Sequence, residues 1–230
     1  MIWLKWPKGE LLQSNSSILI VTAHPDDEVM FFTPLLVGLV EKGHRIQILC
    51  LSTGDFDGQG HIRSQELVKC GAMFHINEDD IYIVDHPQLQ DSMTADWPVE
   101  VIAETVVQHI KQQEPDVVVT FDHRGVSGHP NHIATYKGVK EALTRSESLF
   151  AQRRGRILGL QLNSVNILRK FSGFFDLIVA LCVAERLVFT WGVFTALRGM
   201  QMHRSQNHLF RQVFVIFSSF SYINSFSRIK

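Results

Sequence analysis

Cysteine is scarce in this 230-residue chain: only Cys50, Cys70 and Cys182, with no paired spacing. So sparse and odd a set excludes a disulfide framework and reads as free thiols in a reducing compartment. Long apolar runs are missing too. The opening Met1 to Pro7 stretch is too short for a signal peptide or a membrane span. The apolar stretch from Phe174 to Leu197 is broken by Asp176, Glu185 and Arg186. Its longest uncharged run, Leu187 to Leu197, falls short of the ~20 residues a simple span needs. No repeat or low-complexity tract stands out. Net charge is nearly absent at −1, which by itself argues neither for nor against nucleic acid, and no nucleic-acid partner is expected. Acidic residues stop at Glu185, after which come six basic ones: Arg186, Arg198, Arg204, Arg211, Arg228 and Lys230. The first 185 residues therefore hold 16 basic against 23 acidic side chains, an acidic body with a basic tail.

What remains is ordinary globular composition, 45% hydrophobic and 20% charged, in a chain long enough for one domain with a substantial core. Ile18 to Ala23 is an apolar run broken only by Thr22, as expected of a strand buried on both faces. A helical stretch follows to about Lys42, interrupted at Pro34 and stopped by Gly43. His44 to Leu51, Ile81 to Val84, Val117 to Phe121 and Ile157 to Leu162 read as further strands. His61 to His75, Pro98 to Gln113 and Pro130 to about Arg145 read as helices between them. This alternation predicts an α/β fold, a Rossmann-like doubly wound parallel sheet with helices on both faces. Sites in such sheets form where strands end and loops turn into helices.

Two clusters fall at such places. His24-Pro-Asp26-Asp27-Glu28 follows the first strand. One acidic residue would suffice to oppose the helix dipole; three acids and an imidazole exceed that need. With Asp27 in the opening turn of a helix, His24 and Asp27 can converge on one point. The second cluster, His123 to His132, follows the fourth strand. Pro130 suits the first helical position, so His129 and His132 face one way. A lone His-x-x-His pair is weak, but beside the first cluster it points to a metal. Two histidines and one carboxylate suit catalytic zinc, with other divalent metals also possible, or non-haem iron. The extra carboxylate, Asp26, favours a hydrolase, which needs a general base for its attacking water. A nucleotide-binding domain would want G-x-G-x-x-G after the first strand, and none is there.

These residues carry a resemblance. Val21-Thr-Ala-His24-Pro-Asp-Asp-Glu28 and Gly128-His-Pro-Asn-His132 are similar to the two signature motifs of the PIG-L/LmbE superfamily of metal-dependent de-N-acetylases. Val119-Thr-Phe-Asp122, Gly125-Val-Ser-Gly128, Leu160 to Lys170, His203-Arg-Ser-Gln206 and Tyr222-Ile-Asn-Ser225 resemble its eukaryotic, lipid-linked branch. The likeness runs from about Ser17 to Asn224. It implies a zinc-dependent removal of the N-acetyl group from N-acetylglucosaminyl-phosphatidylinositol, a step of glycosylphosphatidylinositol-anchor synthesis on the cytoplasmic face of the endoplasmic reticulum membrane. A soluble de-N-acetylase of a diffusible amino sugar is the alternative. The family pattern implies His24, Asp27 and His132 as metal ligands and Asp26 as base. His129 would hold the oxyanion and help protonate the leaving amine, and Glu28 would support or cap. Arg63, with Glu66, and Asp85 would touch the sugar, although a surface salt bridge and a turn-forming Asp account for them equally well.

The membrane anchor usual before the first strand in eukaryotic members is not evident. Either this is a shortened form or attachment falls to the tail. Three segments are thus expected: an N-terminal segment 1–15, a catalytic domain 16–170, and a hydrophobic, basic C-terminal helical extension 171–230. Phe210, Phe214 and Phe217 recur there at helical spacing, either as core or as a lipid-facing surface with Arg204 and Arg211.

Overall fold

The five apolar runs become five parallel strands. A computed structural model of the chain describes residues 2–5, 15–149 and 157–230, so most of the expected N-terminal segment lies outside the described residues. The strands are β1 (Ile2–Lys5), β2 (Ser17–Thr22), β3 (Arg45–Cys50), β4 (Ile81–Ile83), β5 (Val117–Thr120), β6 (Leu158–Leu162), β7 (Arg186–Phe189) and β8 (Ile223–Arg228). They form one sheet in the order β1-β7-β8-β6-β5-β2-β3-β4. From β6 to β4 all neighbours are parallel; β8, β7 and β1 are added antiparallel.

The helices are α1 (Asp27–Phe31), α2 (Thr33–Glu41), α3 (Gly60–Met73), α4 (Val99–Gln113), α5 (Gly125–Gly128), α6 (Pro130–Leu149), α7 (Ile167–Lys170), α8 (Asp176–Val183), α9 (Val193–Met202) and α10 (Leu209–Phe217). Pro34 starts a new helix, as expected, and separates α1 from α2 at Phe32. The α4 boundary agrees with its Pro98 cap.

The doubly wound parallel core stands as expected; the tail is not only helical. Residues 171–230 supply β7 and β8 as well as three helices, and β8 pairs directly with β6. Apolar Leu187, Val188, Ile223 and Phe226 are buried there, so the tail shares the central sheet rather than merely covering its edge. The winding reverses at β2: the chain moves out through β3 and β4, then returns to β5 on the other side. That puts the carboxyl ends of β2 and β5 side by side at a switch point, where the loops diverge and leave a crevice.

Candidate active site

Because β2 and β5 are neighbours, the two motifs meet. Asp27 opens α1 and turns its carboxylate back on the chain: Oδ2 accepts the N–H groups of Ala23 (3.0 Å) and His24 (2.8 Å). Its Oδ1 is left facing His132 Nε2 at 3.1 Å.

His132 is set by its surroundings. Its ring stacks on Phe121 at 4.1 Å and 7°, and Nδ1 lies 3.3 Å from Gly125 O. That carbonyl can only accept, so Nδ1 carries the proton and Nε2 presents a lone pair. The loop that provides the carbonyl is strained. Gly125 and Val126 have φ of 57° and 60°, the latter unusual for a β-branched residue. A Cβ at Gly125 would meet Ile133 Cγ1 at 2.9 Å. Asp122 braces the loop by accepting from Ser164 N (2.7 Å) and Oγ (2.6 Å), while Ser164 Oγ accepts from Val126 N (2.8 Å).

His24, Asp27 and His132 offer donor atoms within 4.8 Å of one another, all buried. His132 Nε2 is buried with no hydrogen-bond partner, lone pair against carboxylate. A cation between such acceptors removes the conflict, so the residues fit a metal ion.

A second set meets at the same histidine: His24, Asp91 and His129. His24 Nε2 lies 3.2 Å from Asp91 Oδ1 and 3.0 Å from Asn131 Nδ2. His129 Nδ1 accepts the Asn131 N–H at 3.3 Å, so its Nε2 carries the proton. Burial, then repulsion from His132 and His24, pushes the His129 pKa down to about 4. At neutral pH it is an uncharged donor.

Arg63 is not the surface salt-bridge residue that one reading allowed. It is 5% exposed, donates to Gly54 O (2.7 Å), Pro25 O (3.0 Å) and Asp91 Oδ2 (3.1 Å), and lies 3.5 Å from Asp26 Oδ1. Gly54 must be glycine, since a Cβ there would fall 2.5 Å from the Arg63 Cζ. Glu66 accepts from Ser205 N (2.9 Å) and Oγ (2.5 Å) rather than pairing with Arg63. Asp85 is not brought to this group; it is exposed just beyond β4. Six residues further along, Asp91 holds the place beside Arg63, on a loop anchored where Trp97 Nε1 donates to Gln90 O (2.8 Å).

Sequence reasoning missed Asp91, and it missed that Arg211 of α10 turns inward to pair with Asp26. The Asp26 carboxylate therefore sits between two guanidinium groups. An acidic residue in the loop after β4 was the available signal for Asp91, and Asp85 answered it equally well. Nothing local distinguishes Arg211 from the tail's other cations.

Residues 19–143 match the family described as PIG-L, GlcNAc-PI de-N-acetylase. The N-acetylglucosaminyl-phosphatidylinositol de-N-acetylase of Bos taurus is 34% identical over 97% of this chain and 90% of its own length. Among solved structures, the N,N'-diacetylchitobiose deacetylase of Pyrococcus horikoshii superposes with a TM-score of 0.63 at 16% identity, over 96% of this chain and 87% of that one. The 4-carboxy-2-hydroxymuconate hydratase GalB of Pseudomonas putida superposes with a TM-score of 0.64 at 12% identity, over 94% and 96%. Deacetylase and hydratase share the architecture, so the fold alone does not assign the chemistry.

Proposed function

This chain belongs to the PIG-L family of GlcNAc-PI de-N-acetylases, and from that membership we propose that it hydrolyses the N-acetyl group of N-acetylglucosaminyl-phosphatidylinositol. The products are acetate and glucosaminyl-phosphatidylinositol, and the step belongs to glycosylphosphatidylinositol-anchor synthesis. The observation that carries this is the meeting of His24, Asp27 and His132 with Asp26 beside them.

His24, Asp27 and His132 would hold the metal, which we take to be zinc. When bound, zinc polarises the acetyl carbonyl and acidifies water. Asp26 takes the proton of the attacking water as its oxygen adds to the amide carbon. Arg63 and Arg211 hold the Asp26 carboxylate from two sides. His129, with its Nε2 proton facing the site, donates to the oxyanion as it develops. As the carbon–nitrogen bond breaks, the proton that Asp26 took from the water passes to the departing nitrogen, which leaves as a free amine. Asp91 is the group we assign to sugar hydroxyls, held by Arg63; Asp85, exposed at the start of the loop, is not assigned this role.

The substrate's lipid suggests where the chain works. Of the 19 exposed large apolar side chains among the described residues, 16 lie between positions 167 and 217. Patches of this kind mark interaction surfaces. On α10, Phe214 and Arg211 turn inward while Phe210 is 77% and Phe217 54% exposed. We therefore take the outer face of α7, α8 and α10 as the surface that meets the bilayer, at the cytoplasmic face of the endoplasmic reticulum membrane. No described helix is long and apolar enough to cross a membrane. Salt should matter less than six basic residues would suggest, since Arg186 is 3% exposed and Arg211 pairs with Asp26.

Phe210→Ser with Phe217→Ser should weaken co-sedimentation with phosphatidylinositol-containing vesicles by roughly tenfold or more, because each ring withdrawn from water contributes on the order of 1.5–3 kcal/mol. Its melting temperature should stay near wild type. Phe214→Ser should instead lower that temperature, because Phe214 packs edge-on against Phe31 and Phe171. Vesicle binding unchanged in the double variant would remove α10 from the membrane surface.

The function itself is tested by free-amine release from N-acetylglucosaminyl-phosphatidylinositol against free N-acetylglucosamine. The lipid-linked substrate should be strongly preferred; equal efficiency on both favours a soluble de-N-acetylase of a diffusible sugar.

A further inference from the structure

His203 belongs to neither metal-binding motif, yet it has no exposed surface. It ends α9, where its N–H donates to Gly199 O (3.3 Å). Its Nε2 lies 2.5 Å from Glu28 Oε1, across 175 positions of sequence. Its Nδ1 has no hydrogen-bond partner, so the ring is committed to that one carboxylate. Glu28 is equally enclosed, and its second oxygen, Oε2, accepts the backbone N–H of Asp26 at 3.0 Å.

That N–H belongs to a strained residue. Asp26 has φ 132° and ψ −17°, a conformation an L residue keeps only where its surroundings impose it. The turn is gripped on either side as well, by Arg63 on Pro25 O and by Asp27 on the His24 N–H. The Asp26 N–H is held by Glu28, and Glu28 is aimed by His203. Glu28, Cys70 and His203 have donor atoms within 4.8 Å of one another, but Glu28 and His203 already satisfy each other. Their geometry is that of an orienting pair rather than an open ligand set.

We propose that His203 is a positioning residue for deacetylation: through Glu28 it holds the Asp26 backbone so that the carboxylate meets the attacking water at a productive angle. This rests on Asp26 acting as the base. A carboxylate misplaced by about 1 Å loses on the order of 10²-fold in rate, and outer partners of this kind typically contribute about 10–100-fold.

The test compares His203→Ala, His203→Asn and His203→Gln with the wild type on N-acetylglucosaminyl-phosphatidylinositol, with metal content measured in each. Glutamine carries an amide nitrogen about as far out as Nε2; asparagine reaches only about as far as Nδ1. We expect His203→Ala and His203→Asn to lose about 10–100-fold in kcat with KM little changed and metal retained. His203→Gln should recover most of the loss. If His203→Ala does not fold, the Asn and Gln pair decides. A Gln variant no better than Asn, or one that does not fold, assigns His203 to packing and overturns the proposal; so does a loss confined to KM. A wild type active on this substrate with unchanged kcat in His203→Asn overturns this assignment alone. A wild type that releases no amine overturns the function above, and this assignment with it.

Discussion

In His132→Ala we expect metal and deacetylase activity to vanish together, with bound divalent ion falling from about one per chain to a trace. The reason lies in how few donors there are. His132 Nε2, His24 and one oxygen of Asp27 form the buried set, and the other Asp27 oxygen is already spent on two backbone N–H groups. Removing His132 leaves two donors, too few to hold a catalytic ion. Chelating the wild type should reproduce the defect, and zinc should restore the wild type but not the variant. Elemental analysis showing full occupancy in His132→Ala would take that residue out of the ligand set.

Asp26→Asn should behave differently. Asparagine keeps the shape but cannot accept the water's proton, so turnover should drop by roughly 10²–10⁴ while the ion stays. The loss should fall on kcat, because the proton transfer belongs to the transition state. Asparagine also tolerates positive φ better than most residues, so the strained turn should survive. The neighbouring cations add a second consequence. Arg63 and Arg211 face Asp26, and neutralising the carboxylate leaves both less well paired, so a modest fall in melting temperature should accompany the lost rate. Turnover near wild type in Asp26→Asn would mean that another group is the base.

That the two adjacent carboxylates face different neighbours was legible in the sequence, since Asp27 opens a helix and Asp26 precedes it; Asp27 turns to His132 and Asp26 to Arg63 and Arg211. The central strands were legible for a similar reason. Ile18 to Ala23 and Val117 to Phe121 are apolar runs, each broken by a single threonine (Thr22 and Thr120), with no exposed face to alternate, and each is followed by a cluster of polar residues that neither run explains. The helices between them announced their ends through Pro34, Gly43, Pro98 and Pro130.

The tail was not legible. Arg186 to Phe189 and Ile223 to Arg228 are short, follow helical segments, and set polar residues among apolar ones with no clean period. Local pattern does not announce which sheet such a strand will join; pairing with β6 does. Asp85 and Asp91 show the same limit within a loop. Both are aspartates after β4, and the fold of residues 84–98 around Trp97 selects the second.

The sequence by itself determined the chemistry on offer: imidazoles and two neighbouring carboxylates, each set at a strand end by local rules of helix initiation. Only the tertiary structure decided which distant side chains serve it. Arg211 reaches Asp26 because α10 packs over the crevice, and His203 reaches Glu28 because α9 ends there. Such contacts depend on how whole elements pack, across 175 residues in the case of His203, and short-range periodicity carries no record of that distance.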